Sequence, residues 1–251
     1  MVRGVLIDLS GTLHIDNTVT PHSVEALQRL RKAGIKVESK SQLHTRLTNL
    51  GFQHHPEELF TSLMAALQLV KKYQLNPLLF LSRSANSDFA NIVDPDAKPN
   101  AVVVGLSPED FNYPKLNEAF NLIREGAPLI AIHKARYFAT PTGLAMGPGG
   151  FVEALEYATR TQATVVGKPE KTFFTLALEI LGLADCPHEV AMIGDDVEND
   201  LGGGAVALGL RRYLVKTGKY SPGDENRVDP PPDGVFDNFA AVVDVLLSSQ
   251  V

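Results

Sequence analysis

Short apolar runs alternate with amphipathic segments along most of the chain. The first run covers residues 4–9, with Asp8 near its end, and small polar residues follow it. The segment 21–34 that follows has proline near its start and glycine at its end, as helices commonly do. Residues 39–52 and 56–73 continue the helical pattern. This alternation predicts an α/β fold with a parallel sheet and helices on both of its faces.

The middle of the chain has a pattern of its own. Three apolar runs predict strands at 77–82, 101–106 and 128–133, and residues 113–126 predict a helix between the last two. Joints rich in proline and aspartate separate these elements. We therefore predict an inserted α/β domain over residues 75–158.

The first pattern then returns. It predicts helices at 151–161, 172–182, 200–209 and 236–249, and strands at 163–166, 189–196 and 211–218. Residues 1–74 and 159–251 are therefore predicted to form one discontinuous domain, built on a Rossmann-like, doubly wound parallel sheet.

Composition and charge limit the partners that we expect. The chain has 251 residues, a net charge of −6 and no long basic run, so we expect no nucleic acid or anionic membrane surface as a partner. No apolar run approaches the roughly 18 residues that span a bilayer, and the N-terminus lacks the layout of a signal peptide. The single cysteine, Cys186, excludes an intrachain disulfide and favours a cytoplasmic location.

Charged residues lie at or just after the carboxyl ends of three of the strands predicted for the first domain. These residues are Asp8, Lys168 and the group Asp195, Asp196 and Asp200. Because the carboxyl ends of parallel strands line one crevice, we expect these groups to meet. Carboxylates at close range repel unless a cation lies between them, and ligands that are all oxygen favour Mg²⁺. With a lysine added, such a site suits a phosphoryl group, which a carboxylate attacks to form an aspartyl-phosphate.

Each strand end also has an ordinary structural interpretation. Aspartate before glycine is common in turns, lysine before proline is usually solvated, and paired aspartates beside glycine often begin a helix. The functional interpretation therefore depends on their joint order, each after a strand of one predicted sheet.

Three stretches carry a family resemblance. DLSGT at 8–12, GKP at 167–169 and GDDVENDLGG at 194–203 resemble motifs of the haloacid dehalogenase (HAD) superfamily of phosphatases, and the insert resembles the type-two cap of that family. The resemblance covers nearly the whole chain. It implies a small phosphorylated substrate and a homodimer that forms through the cap.

The resemblance also implies roles for single residues. Asp8 would be the nucleophile and a Mg²⁺ ligand, with the main-chain carbonyl of Ser10 and the carboxylate of Asp195 as further ligands. Lys168 would hold the phosphoryl group. The carboxylate that supports the metal shell would be Asp196 or Asp200.

The chain departs from the family pattern at two places. Ser10 replaces a second aspartate whose acid–base help is worth roughly 10²–10⁴ in rate. The second motif, a strand end whose Thr or Ser bonds the phosphoryl group, has no counterpart after the helix that ends at Gly34. Ser39 is a candidate for that contact, although its spacing to Gln42 favours a role as a helix cap.

Two functions from different classes follow. The first is a Mg²⁺-dependent phosphatase that acts on small phosphorylated compounds, among which P–N and pyrophosphate bonds suit a site without an acid at position 10. The alternative is a catalytically weak or inactive protein that keeps the fold as a binding module. A dinucleotide-binding oxidoreductase is disfavoured because no GxGxxG follows the first strand. His133 and Lys134 end a predicted strand of the insert and are candidates for contacting substrate.

Overall fold

The computed structural model divides the chain into two compact units. It describes residues 1–15, 17–33, 47–53, 60–140 and 143–248. The first unit consists of Met1–Thr61 and Lys168–Val251, and the second of Ser62–Gly167. The second unit therefore interrupts the first in sequence, and it extends beyond the predicted insert at both ends.

Strands and helices alternate through the described residues. In chain order, the strands are β1 (Gly4–Ile7), β2 (His14–Ile15), β3 (Thr18–Val19), β4 (Pro77–Phe80), β5 (Ala101–Val104), β6 (Leu129–Ala131), β7 (Tyr137–Thr140), β8 (Gly143–Met146), β9 (Thr164–Val165), β10 (Val190–Gly194), β11 (Arg211–Val215) and β12 (Gly234–Phe236). The α-helices are α1 (Ser23–Lys32), α2 (Ser62–Lys72), α3 (Arg83–Asn86), α4 (Tyr113–Arg124), α5 (Gly149–Thr159), α6 (Lys171–Leu181), α7 (Gly203–Ala207) and α8 (Phe239–Ser248). None of the helices in these ranges is long and apolar enough to cross a membrane.

A parallel four-stranded sheet in the order β1-β10-β11-β12 organises the first unit. All five residues of β10 are buried, as expected for a central strand covered on both faces. Helix α1 buries Ser23, Ala26, Leu27 and Leu30, which share one helical face by their spacing. Its leucines join a core cluster with residues of α8 and of the sheet.

The second unit has its own parallel sheet, in the order β4-β5-β6-β9. Every residue of β5 is buried, and helices α4 and α5 contribute to the same core as the strands. The rings of Phe111 and Phe151 stack 3.8 Å apart between their centroids. The antiparallel pair β7 and β8 stands outside this sheet.

One predicted strand belongs to a different sheet from the one expected. The run 163–166 forms β9, which pairs with β6 in the second unit, so Lys168 does not follow a strand of the sheet that contains β1. The reason is local. Helix α5 precedes β9 and packs into the core of the second unit through Val152 and Leu155, which makes β6 the strand within reach of this crossover.

The predicted α/β class with parallel sheets is confirmed, and element bounds account for most of the differences. The helix predicted at 21–34 is shorter at both ends. Within the segment predicted as a helix at 56–73, the structure has a helix at Ser62–Lys72, residues 60–61 are not helical, and residues 56–59 lie outside the described residues. The hairpins β2–β3 and β7–β8 were not predicted. The segment 34–46, which includes the start of the helix predicted at 39–52, lies outside the described residues.

Candidate active site

Two adjacent strands of the first unit each end in a carboxylate. Asp8 directly follows β1 and Asp195 directly follows β10. Ile7 pairs with Ile193 in the parallel register, and the Asp8 amide donates a hydrogen bond to the carbonyl of Ile193 at 2.9 Å. Strand pairing therefore brings together two acids that are far apart in sequence, as the strand-end argument predicts.

A third carboxylate, Asp200, completes an acidic cluster with Asp8 and Asp195. One oxygen from each residue lies within 4.8 Å of the others. Asp200 belongs to the turn that precedes α7, in which the Asp196 amide donates to Asp200 Oδ2 at 3.2 Å. The Asp200 side chain is only 3% exposed. The turn after β10 therefore returns a buried acid to the strand ends.

Lys168 binds two members of the acidic cluster. Its Nζ lies 2.5 Å from Asp8 Oδ1 and 2.6 Å from Asp200 Oδ1. Burial lowers the pKa of Lys168, but the carboxylates of Asp200 and Asp8 outweigh burial, so the net pKa is raised and the lysine stays cationic. When all three acids are ionised, one lysine leaves two negative charges uncompensated.

That surplus charge affects the acids themselves. Burial raises the pKa of Asp195, and the neighbouring charge of Asp8 raises it further, while the Lys219 amide opposes the shift. The pKa of Asp200 is also raised, first by burial and then by Asp8, despite the presence of Lys168. A bound cation would relieve both effects. The donor set of closely spaced oxygens from three carboxylates fits a hard divalent ion such as Mg²⁺.

Two glycines pack directly against Asp195. Gly11 and Gly218 have φ angles of +94° and +61°, and a Cβ on either would overlap the Asp195 carboxylate. The Thr217 hydroxyl donates to the carbonyl of Gly11, which ties the loop after β11 to the loop after β1. Glycine is needed at both positions for backbone conformation and for close approach.

Asp196 and Lys219 form the rim of the acidic cluster. Asp196 accepts hydrogen bonds from the Asn199 amide at 3.0 Å and from Asn199 Nδ2 at 2.8 Å, and Lys219 Nζ lies 3.0 Å from Asp196 Oδ2. Burial raises the pKa of Asp196, but these bonds outweigh it and the net pKa is lowered. Of the two predicted supporting acids, the structure brings Asp200, and not Asp196, into the group of three.

The other residues predicted for the site are placed as follows. Ser10 is exposed and lies next to Gly11, whose amide donates to the carbonyl of His14 at 2.7 Å. Ser39 lies outside the described residues. The remaining two candidates belong to the second unit.

In the second unit, Lys134 Nζ lies 2.7 Å from a carboxylate oxygen of Glu153 and 2.7 Å from one of Glu156. His133 Nδ1 accepts a hydrogen bond from the Ala135 amide at 3.3 Å, and burial lowers the pKa of His133. Their contact with substrate stays a prediction.

Sequence reasoning missed the residues that hold Asp195 in place. They are Gly11, Thr217, Gly218 and Lys219. The signal was present, because residues 216–219 lie at the carboxyl end of the predicted strand 211–218, at the same sheet edge as the acids.

Comparison with known proteins identifies the family. A family model described as haloacid dehalogenase-like hydrolase matches residues 5–92, and one described as HAD-hydrolase-like matches residues 165–242. The chain is 51% identical over 256 residues to haloacid dehalogenase-like hydrolase domain-containing protein 2 of Rattus norvegicus, covering 98% of this chain and 96% of that protein. The chain belongs to the haloacid dehalogenase superfamily.

Further relatives of this HAD protein extend the comparison. It is 38% identical over 260 residues to the human phospholysine phosphohistidine inorganic pyrophosphate phosphatase, covering 98% of this chain and 94% of that protein. Its fold matches p-nitrophenyl phosphatase from Archaeoglobus fulgidus with a TM-score of 0.82 at 24% identity, covering 97% and 99% of the two chains. NagD from E. coli K-12 matches with a TM-score of 0.81 at 20% identity, covering 95% and 97%. The predicted family and fold class are confirmed.

Proposed function

We propose that this HAD protein is a Mg²⁺-dependent phosphatase that hydrolyses small phosphorylated compounds through an aspartyl-phosphate on Asp8. The observation that carries the proposal is the convergence of Asp8, Asp195 and Asp200, two of which, Asp8 and Asp200, bind one half-buried lysine, Lys168. A purely structural ion pair does not require a third acid, and uncompensated buried charge is costly unless a ligand uses it.

In this proposal, each residue has a separate task. Asp8 Oδ attacks phosphorus while Lys168 holds the oxygens of the phosphoryl group by charge-assisted hydrogen bonds. Asp8 and Asp195, with the carbonyl of Ser10, would hold Mg²⁺, which supplies positive charge opposite the phosphoryl oxygens. Asp200 keeps Lys168 in position through the 2.6 Å contact to its Nζ.

Position 10 favours one class of substrate. A serine hydroxyl cannot protonate a leaving group at neutral pH, so the leaving group must depart without help from this residue. Aryl oxygens and the phosphate released from pyrophosphate leave readily, and the nitrogen of a P–N bond can take its proton from water. Alkyl phosphates are therefore expected to be the poorest substrates. The human relative is named as a phosphatase of phospholysine, phosphohistidine and inorganic pyrophosphate, which are P–N and pyrophosphate substrates.

The test compares substrate classes in the wild type and three variants. The wild type, with Mg²⁺, should hydrolyse phosphoramidate and pyrophosphate, and Asp8→Asn should lower kcat/KM by at least about 10³-fold for both. Ser10→Asp should raise kcat/KM for an alkyl phosphate by about 10²-fold and change the other two much less. Ser10→Ala is the matched control and should leave all three nearly unchanged.

The outcomes separate the two candidate functions. Turnover no higher than that of Asp8→Asn with every substrate would favour the non-catalytic binding protein. Equal gains for all substrates in Ser10→Asp would contradict the leaving-group argument alone. From the family resemblance and the cysteine content, we further predict a homodimer formed through the second unit and a cytoplasmic location.

A further inference from the structure

A second lysine, Lys219, is fixed at the rim of the acidic cluster by its backbone. Its amide donates to Asp195 Oδ2 at 2.7 Å. The preceding residue, Gly218, packs against both Asp195 and the α-carbon of Gly11. Because these contacts involve the main chain, the position of Lys219 in the loop does not depend on what its ammonium group binds.

The ammonium of Lys219 is held far less firmly than that of Lys168. The side chain of Lys219 is 70% exposed and, among the residues that the structure describes, forms an ion pair with Asp196 only, whereas the side chain of Lys168 is 24% exposed and lies between two acids. Exposed ion pairs contribute little to stability in water. If Lys219 leaves, Asp196 keeps both hydrogen bonds from Asn199, so its carboxylate is not left without donors. The ammonium group of Lys219 can therefore release Asp196 and bind another anion at little cost in free energy.

We propose that Lys219 binds the departing anion of substrates whose leaving group is negatively charged, with inorganic pyrophosphate as the simplest example. This inference rests on the proposed phosphatase function. Ser10 by itself does not discriminate between phosphoanhydride and P–N substrates, and Lys219 would be the residue that does.

The charge balance of phosphoryl transfer to Asp8, and of the hydrolysis that follows, explains the need for such a cation. As an Asp8 oxygen bonds to phosphorus, the bridging P–O bond of pyrophosphate breaks and its electron pair leaves with the departing phosphate. No proton comes from position 10, so the departing oxygen carries the full negative charge, which an ammonium group can pair with. Water then attacks the aspartyl-phosphate, regenerates Asp8 and releases a proton to solvent. In total, one pyrophosphate and one water give two phosphates.

A P–N substrate makes a different demand. The nitrogen takes a proton from water, and phosphoramidate then releases neutral ammonia as its P–N bond breaks. An ammonium group gains nothing from a neutral leaving group. Lys219 should therefore matter for pyrophosphate and be nearly irrelevant for phosphoramidate.

The experiment measures kcat/KM for pyrophosphate and phosphoramidate, with Mg²⁺, in full-length variants. Lys219→Met should lower the value for pyrophosphate by about tenfold or more and change that for phosphoramidate by less than about twofold. Lys219→Arg, which keeps the charge, should recover most of the loss. Lys216→Met is the matched control, because Lys216 lies in the same segment but pairs with Asp237, at 3.1 Å. It should behave as the wild type.

Each other result has a definite meaning. Equal losses with both substrates, no loss with either, or the same loss in Lys216→Met would overturn the role of Lys219 while leaving the phosphatase function intact. A wild type no more active than Asp8→Asn would overturn the proposed function and this inference together.

Discussion

Two lysines, one in each unit, have similar immediate surroundings. Lys168 follows the end of β9 and Lys134 follows the end of β6, each by three residues. Each places its Nζ between two carboxylates, at 2.5 and 2.6 Å for Lys168 and at 2.7 Å twice for Lys134. The short contacts alone do not distinguish a functional lysine from a structural one.

The two lysines do differ in where their partner acids come from and in how exposed those acids are. Glu153 and Glu156 lie three residues apart on one helix, and the side chain of Glu153 is 66% exposed, so water screens its charge. The acids around Lys168 come from separate loops, and Asp195 adds a third carboxylate. A catalytic site is therefore better indicated by buried acids that come from distant segments and outnumber the lysine beside them.

The largest expected effect comes from exchanging each lysine for methionine. Lys168→Met removes a cation from the phosphoryl site and should lower kcat/KM for pyrophosphate by about 10³-fold. Lys134→Met breaks contacts that are partly exposed and should lower kcat/KM by less than about fivefold. Steady-state assays with Mg²⁺ measure both.

A loss in Lys134→Met as large as that in Lys168→Met would place Lys134 in substrate binding, as its position at a strand end of the insert predicts. Lys134 and Lys168 would then both act in substrate binding, and the exposure and origin of their partner acids would not predict function.

A smaller effect is expected from filling the space beside Asp195. Gly218→Ala adds a Cβ that overlaps the Asp195 carboxylate, so Mg²⁺ affinity should fall by about tenfold in calorimetric titration. Gly223→Ala is the control, because Gly223 also has a positive φ, +96°, but no atom lies within 4 Å of the added carbon. Both variants should lose about 1 kcal/mol or more of stability from backbone strain.

Unchanged Mg²⁺ affinity in Gly218→Ala would mean that the Asp195 carboxylate tolerates displacement. The acidic cluster would then be less tightly constrained than its packing indicates.

The smallest effect concerns pH and the second unit. Burial raises the pKa of Glu156, but Lys134 and the Ala163 amide outweigh it, so the net pKa lies below the usual 4.5. Stability from this pair is therefore complete above about pH 4.5 and is lost as pH falls further. Glu156→Gln removes this titrating carboxylate, so the fall in the free energy of unfolding on acidification should become smaller. The difference from the wild type should be less than about 1 kcal/mol, the most that one partly exposed ion pair contributes.

Chemical denaturation between pH 6 and pH 3 measures this difference. Lys134→Met should weaken the same acid dependence, since Lys134 is a main cause of the shift. If neither variant changes the slope, the pair does not contribute to acid stability.

The sequence predicts those parts of the site that strand pairing determines. Asp8 and Asp195 each follow a buried apolar run directly, and adjacent parallel strands then make them neighbours. Lys168 Nζ contacts Asp8 although β9 belongs to the other sheet, so the end of a shared strand edge does not account for its position beside the acids.

Other features depend on tertiary contacts that a single sequence does not contain. A two-residue strand such as β9 carries too little hydrophobic pattern to indicate its partner. The choice between Asp196 and Asp200 depends on how a turn folds back, and both residues occur in the same acidic run. The close packing of Gly11 and Gly218 on Asp195 joins loops more than 200 residues apart.

The interruption of the first unit by the second has a consequence for synthesis on the ribosome. Gly4 pairs with Val190, so β1 emerges long before its partner strand exists, whereas all of Ser62–Gly167 is made before residue 190. Domains generally fold as units during translation. The inserted unit is therefore complete first, and the earliest residues of the chain are among the last to acquire their neighbours. Asp8 remains apart from Lys168 and Asp195 until most of the polypeptide has been translated.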